Sequence, residues 1–242
     1  PVPEALHAEP PSDPTDYTAS KRACEHLVAR SGLPFLIARP SIVIGDSRTG
    51  RYSGKPYGVY QLWRGFERLL AHEWQETSHA IASNAKLQVV HQDAVADGLV
   101  AALHQFEPGR IVHLVSDPER LPTVRQAWQQ WFDRFVRPRS VSFHSSVEQA
   151  AAVPMSRRQR VYLDFSAINL EIAEHDWSFQ TTALADLGLP LPVADGASLG
   201  RCQDAYVAQS PALTAYAALS STRSVTWEHA HANEYPTALL SR

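Results

Sequence analysis

The chain has no run of basic residues, and its 22 Lys and Arg against 25 Asp and Glu leave a formal net charge of -3. A surface that holds a polyanion needs clustered positive charge, so nucleic acid is not an expected partner. No apolar run approaches the roughly 18 residues that span a bilayer, and Pro1 to Pro11 lack the basic and apolar regions of a signal peptide. A cytoplasmic protein is the expectation. Cysteine is scarce: Cys24 and Cys202 stand outside any Cys-x-x-Cys or His-rich context, which argues against redox or zinc chemistry and for two buried thiols. Met155 is the lone methionine and the chain opens on Pro-Val-Pro, so its start reads as a cut in a longer protein. No internal repeat or low-complexity segment is present.

What is present is ample core material, with 44% apolar residues over 242 positions. Ser12-Asp13-Pro14 offers a helix N-cap followed by Pro at the first helical position. That helix runs to about Ser31, where Gly32 suits the C-terminal cap and Pro34 stops continuation. Phe35 to Ala38 is a short apolar run without alternation, as for a strand covered on both faces of a parallel sheet. A polar, glycine-spaced loop spans Gly45 to Gly58. An amphipathic helix follows from Tyr60 to about Trp74, with Leu62, Phe66, Leu69 and Leu70 on one side. Leu87 to Val90 reads as a strand, Asp93 opens a helix with Val95, Leu99 and Leu103 at helical spacing, and Ile111 to Val115 is a third strand. A helix over Thr123 to Phe135 carries Trp128, Trp131 and Phe132, which read as core rather than as a stacking platform. This alternation predicts an α/β fold. Beyond Arg137 the pattern changes to a short strand at 141–143 and helices near 145–152, 156–170, 178–187 and 198–208, with a tail from Ser220 that lacks any period.

Tyr17 and Lys21 stand at i and i+4, one turn apart on the same helix face. A phenol beside an ammonium suits carbonyl reduction: the phenol protonates the oxygen while hydride arrives at carbon, and the cation favours the phenolate. With eight Tyr and three Lys in the chain, this spacing arises by chance in about one such sequence in ten, so its context must carry the argument. The context is a helix leading directly into a strand that ends Arg39-Pro40-Ser41, and open α/β sheets bind ligands at the carboxyl ends of their strands.

Tyr17-Thr18-Ala19-Ser20-Lys21, Glu25 on the same helix, and the stretch Ala38-Arg39-Pro40-Ser41-Ile42-Val43-Ile44-Gly45-Asp46-Ser47-Arg48-Thr49-Gly50 resemble extended short-chain dehydrogenases/reductases, most of all the thioester reductase and fatty acyl-CoA reductase branch. Val90 to Ala96 and Arg110 to Pro118 resemble later segments of the same family. The resemblance extends over about residues 1–135. It implies the C-terminal part of a Rossmann-type doubly wound parallel sheet (1–50 and 87–118) with a mostly helical substrate-binding cap (51–86 and 119–242). It further implies Tyr17 as proton donor and Lys21 as its tuner and ribose ligand, Pro40, Ser41 and Ile42 beside a nicotinamide, and Arg48, Tyr57 and Tyr60 on the substrate side. The implied cofactor is NADP(H), with NAD(H) as the alternative. The implied substrate is an acyl thioester, as acyl-CoA or bound to a carrier protein, reduced to aldehyde or alcohol.

The chain departs from that family in having no Gly-x-Gly anywhere, and so no glycine loop to wrap a pyrophosphate. The hydroxyl residue that precedes the tyrosine in the family is absent too. Association with the missing half, or with a second copy, is the expected consequence of an open sheet edge. Two other readings stand beside the thioester reductase. One is a nucleotide-sugar epimerase or dehydratase, or a hydroxysteroid-type dehydrogenase, of the same fold; the other is a non-catalytic fragment. Gly54-Lys55 is not a P-loop, because Pro56 follows where Ser or Thr is needed. Glu228, His229 and His231 read as solvated, so no metal is expected, and Asp46, Ser47 and His91 lack the nucleophile elbow of a hydrolase.

Overall fold

A computed structural model of the protein describes residues 1–7, 15–71, 76–135, 140–173 and 175–222. Helix α1 (Asp16–Arg30) starts at Thr15, whose hydroxyl accepts from the Thr18 N–H while Thr18 Oγ1 accepts from the Thr15 N–H, each at 3.2 Å. This reciprocal box satisfies two donors that a helix start leaves open. The expected cap at Ser12 to Pro14 lies outside the described residues. Gly32 takes the left-handed conformation expected after the helix, with φ of 73°.

Strands β1 (Leu36–Pro40) and β2 (Ile42–Ile44) follow one another with Ser41 between them. The chain changes partner there: β1 pairs in parallel with β5 (Arg110–Leu114), and β2 with β4 (Val89–His91). Between β4 and β5 runs α3 (Gln92–His104), the crossover that parallel strands require. The strands predicted at 35–38, 87–90 and 111–115 are thus present as β1, β4 and β5, with ends shifted by one to two residues. The expectation that β1 is covered on both faces is not met, since only Ile37 of its five residues is buried. The apolar row Val95, Leu99 and Leu103 also fails as a core face: Leu103 is 63% exposed, whereas Gly98 and Ala102 are buried. Small residues face the sheet because Leu114 closes the space above Gly98.

The glycine-spaced loop leads into α2 (Val59–Gly65), which widens into a π-helical turn over Phe66–Leu70. Sequence periodicity missed β3 (Thr77–Ile81), which pairs in parallel with β6 (Ser140–His144) as a sheet of its own. Ser78 and His79 are buried along with Ala80 and Ile81, so no apolar alternation marks it. His79 Nδ1 and His144 Nε2 lie 3.0 Å apart, and buried Gln159 bridges the His79 backbone, accepting from its N–H and donating to its carbonyl. Helices α4 (Val124–Phe132), α5 (Val147–Ala151), α6 (Arg157–Ala173), α7 (Thr182–Asp186), α8 (Gly196–Gln209) and α9 (Pro211–Thr222) complete the described chain. The helix expected over 178–187 is shorter than its pattern, and α9 had no counterpart in the sequence reading.

Two cores result. The larger joins Ile44 and Val89 to α2, α4, α6 and α8 around the aromatic rings of Trp63, Phe66, Trp131 and Phe135. Trp63 and Trp131 stack at 5.3 Å, so the α4 tryptophan is core as expected. The smaller comprises Ala102, Val112 and Leu114 against Ala183, Leu184 and Leu187 of the α7 region. Helix α1 belongs to neither and buries none of its residues.

The pair of buried thiols expected from composition is corrected to one. Cys202 is buried, while Cys24 lies exposed on α1. Ellman titration should therefore count one reactive thiol in the native chain and two in denaturant. Two in the native chain would contradict this packing.

Candidate functional site

The α1 helix brings Tyr17 and Lys21 together as the spacing requires. Lys21 Nζ lies 5.4 Å from the Tyr17 ring centroid, in cation–π range. Tyr17 is 65% exposed, so its phenol is open to whatever approaches this face.

Arg39 ties the helix to the sheet. Its Nε and NH2 donate to the two oxygens of Glu25 at 2.8 and 2.6 Å, a bidentate ion pair with both side chains largely shielded from water. NH1 donates to the Pro3 carbonyl and to His113 Nε2, and NH2 also donates to the Ala5 carbonyl. All five guanidinium N–H groups are thereby used. His113 on β5 in turn donates from Nδ1 to the Gln180 carbonyl at 2.8 Å. Burial, and after it the neighbouring Arg39 charge, hold this imidazole below its ordinary value against the pull of that carbonyl, which fixes it as the neutral acceptor Arg39 needs. Glu4 completes the junction by accepting from the Ala183 and His113 N–H groups. Sequence reasoning named Glu25 and Arg39 but not this hub, because three of its five acceptors come from segments distant in the chain.

Of the three residues at the strand end, Pro40 is exposed, whereas Ser41 and Ile42 are half-buried. The Ser41 N–H donates to the Leu114 carbonyl, but its hydroxyl is buried without a hydrogen-bond partner. A buried polar atom of this kind at the carboxyl end of a parallel strand calls for a further group to satisfy it. Ser116, just past β5, carries a second such hydroxyl, at a position that no sequence pattern singles out.

The loop after β2 is locked from within. Asp46 accepts from the N–H groups of Arg48 and Thr49 and from the Thr49 hydroxyl, and these bonds, the Thr49 backbone first, hold its carboxyl below the ordinary range. Ser47 donates N–H and O–H to Asp93; burial pushes that carboxyl up, but the bonds from Ser47 more than offset it. His91, buried, donates from Nδ1 to the Gly45 carbonyl at 2.6 Å and meets Ser198 Oγ at 2.9 Å. Gly50 sits at φ of 69°, where an added Cβ would stand 2.1 Å from the Arg201 carbonyl oxygen. Gly50→Ala should lower stability by about 2–4 kcal/mol, from left-handed strain and overpacking together. A melting temperature within a degree of wild type would refute this.

The three residues predicted on the substrate side are not brought together as one group. Arg48 is exposed, its guanidinium 3.7 Å from Asp46, and Tyr57 is exposed as well. Tyr60 is buried, and its oxygen accepts from the Gly45 N–H at 2.9 Å. Burial raises the Tyr60 phenol far above its ordinary value and pushes the adjoining Cys202 thiol up to about 11, so neither is poised for proton transfer. Tyr60 does line a cavity of about 200 Å³ with Tyr52, Arg64, Tyr206 and Gln209. His229, His231 and Glu228 lie outside the described residues. Among the described residues no group of three or more His, Cys, Asp or Glu could hold a metal, and no helix is long and apolar enough to cross a membrane.

Residues 2–99 match the NAD-binding family described as male sterility protein. That segment carries Tyr17, Lys21 and the loop after β2. Among solved structures it is similar to the terminal R domain of the myxalamid PKS-NRPS biosynthetic pathway, at 20% identity and a TM-score of 0.60, over 86% of this chain and 54% of that one. It is also similar to a thiolation-reductase di-domain from an archaeal non-ribosomal peptide synthetase, at 20% identity and a TM-score of 0.56, over 84% of this chain and 43% of that one. These likenesses establish a Rossmann-like α/β fold. The chain spans about half the length of these structures. No curated protein matches it.

Proposed function

We propose that this chain supplies the proton-donating half of an NADPH-dependent reductase that converts an acyl thioester, on coenzyme A or on a carrier protein, to an aldehyde and onward to the alcohol. The observation that carries this reading is the Tyr17–Lys21 pair on an open face of α1, the helix that leads into a strand ending at the unpartnered Ser41 hydroxyl. Tyr17 gives its proton to the carbonyl oxygen, and Lys21 holds positive charge beside the phenol that loses it. The nicotinamide, when bound, supplies the hydride to the carbonyl carbon. The carbon–sulfur bond of the resulting hemithioacetal then breaks, leaving aldehyde and free thiol.

Pro40, Ser41 and Ile42 fit the nicotinamide end of the cofactor, where the Ser41 hydroxyl would gain its missing partner. Nothing in the chain fits the pyrophosphate, for want of a glycine loop. That group would be held by a preceding half of the sheet, packed on the apolar side chains that α1 and its following turn leave open, Leu27, Val28 and Leu33. Residues 1–50 and 87–118 would then be sheet elements, with 51–86 and 119–242 as cap.

The reading is tested with the full-length protein on a panel of substrates. NADPH should be consumed with acyl thioesters. Conversion of sugar nucleotides without net cofactor turnover would overturn it.

A further inference from the structure

From the junction beneath α1 we infer that His113 is a positioning residue: as a neutral imidazole it seats the helix that carries Tyr17 and Lys21, and a second proton on its ring unseats that helix. The seat is independent of the chemistry assigned to Tyr17, and only its consequence for turnover rests on the reductase reading. His113 is buried on β5, directly opposite Arg39 of β1 in the parallel register. Both its ring nitrogens and its backbone N–H are committed. Nδ1 donates to the Gln180 carbonyl at 2.8 Å, the backbone N–H donates to Glu4 Oε1 at 3.3 Å, and Nε2 stands 3.3 Å from Arg39 NH1. Phe179 meets the ring edge to face at 5.4 Å.

The carbonyl and the guanidinium fix the ring's protonation between them. A carbonyl oxygen has no proton to give, so Nδ1 carries one; a guanidinium has no lone pair to offer, so Nε2 is bare. A second proton, on Nε2, sets donor against donor and cation against cation across 3.3 Å. NH1 must then retreat, and it cannot retreat alone, because the guanidinium is one rigid plane. That plane also holds both oxygens of Glu25 on α1 and the carbonyls of Pro3 and Ala5. Residues 2–5 are tied in turn to the segment that carries Gln180: the Val2 N–H donates to the Ser178 carbonyl and the Gln180 N–H to the Val2 carbonyl. Helix α1 buries no residue of its own, so its place over the sheet rests heavily on the Glu25–Arg39 pair. Ser41 stays with the sheet through its N–H to the Leu114 carbonyl. Release of α1 therefore parts the Tyr17 phenol from the strand end it serves.

The charged groups that face the imidazole are Arg39 from β1, Glu4 from the N-terminal segment and Glu25 from α1, while the 179–180 segment presents a ring and a neutral carbonyl. Burial acts most strongly and favours the neutral ring. The Gln180 carbonyl opposes it, the Arg39 charge adds to it, and the two carboxylates oppose it more weakly; the balance leaves the imidazole below its ordinary value. The unfolded chain thus takes up this proton at a higher pH than the folded one. What the neutral ring contributes to the seat is complete above about pH 6.5, where a free imidazole titrates, and is lost as pH falls through the lowered folded value. His26 on α1 and His7, two residues past Ala5, are the other histidines on the segments joined here.

A spin label on exposed Cys24, with Cys202 buried, reads the seat in the 242-residue chain without turnover. Its spectrum should hold between about pH 8 and 7 and sharpen as pH falls below about 6.5, approaching the spectrum of Arg39→Met. His113→Gln, whose amide oxygen can accept from Arg39 and does not titrate, should lose this transition; His113→Asn serves the same end if the Gln variant does not fold. His7→Gln and His26→Gln should keep it. In the full-length protein kcat on an acyl thioester should fall on the acid side with a limiting slope of about one decade per pH unit, as a single ionisation requires, and His113→Gln should lose that limb. A wild-type spectrum unchanged down to about pH 5, a transition that survives without His113, or one that vanishes with either control would overturn the inference. So would thioester reduction whose acid limb is the same in His113→Gln. A label that responds as expected in a protein that fails to reduce thioesters would leave the seat standing and remove the reductase reading instead.

Discussion

Tyr17→Phe in the full-length protein should lower kcat on an acyl thioester by about 10²–10⁴-fold, the range that a positioned general acid contributes. The substitution removes one oxygen from a side chain that is 65% exposed and makes no buried contact on α1, so folding should be untouched. The Lys21 ammonium keeps the ring it lies over. KM for the thioester should change little, because the phenol acts on the reacting oxygen and not on the rest of the substrate. A kcat within a few fold of wild type would remove Tyr17 from the chemistry.

Arg39→Met should have the largest effect on structure. The change leaves the Glu25 carboxylate, shielded along with its partner, without a counter-charge, and it strips a hydrogen bond from Pro3, Ala5 and His113 at once. Breaking a buried pair from one side costs about 3–5 kcal/mol, and partial exposure here places the cost at the lower end. The effect should be concentrated on α1, which buries no residue of its own. A spin label on Cys24, exposed on that helix, reports it directly: its spectrum should sharpen in Arg39→Met and also in Arg39→Lys, since one ammonium has three donors and cannot reach five acceptors. An unchanged spectrum and unchanged urea midpoint would show that α1 is held by other means.

These two residues also mark how much of the molecule its sequence discloses. Tyr17 and Lys21 are legible because a helix converts a spacing of four into a shared face. The β1, β4 and β5 strands are legible because β-branched and other apolar residues run together in short blocks. Arg39 was visible only as a letter in a strand end, since its function comes from acceptors at positions 3, 5, 25 and 113. The β3 strand was illegible for a related reason: His79, His144 and Gln159 satisfy one another in the interior, and burial by mutual hydrogen bonding leaves no hydrophobic period. Leu99 and Leu103 misled in the opposite direction. They follow the spacing of a core face, yet the sheet meets Gly98 and Ala102, because close approach of α3 to Leu114 selects small residues. The cavity at Arg64 could not be anticipated, as Tyr52 and Tyr206 are 154 positions apart.

The central claim, hydride delivery to a thioester carbon with Tyr17 as the acid, is tested most directly by following deuterium from the reactive C4 position of labelled NADPH in the full-length protein. With an acyl thioester in excess, the account predicts one deuterium on the carbonyl carbon of the released aldehyde, one free thiol per cofactor consumed, and loss of both in Tyr17→Phe. An aldehyde without label, or label and thiol release at wild-type rate in Tyr17→Phe, would contradict it.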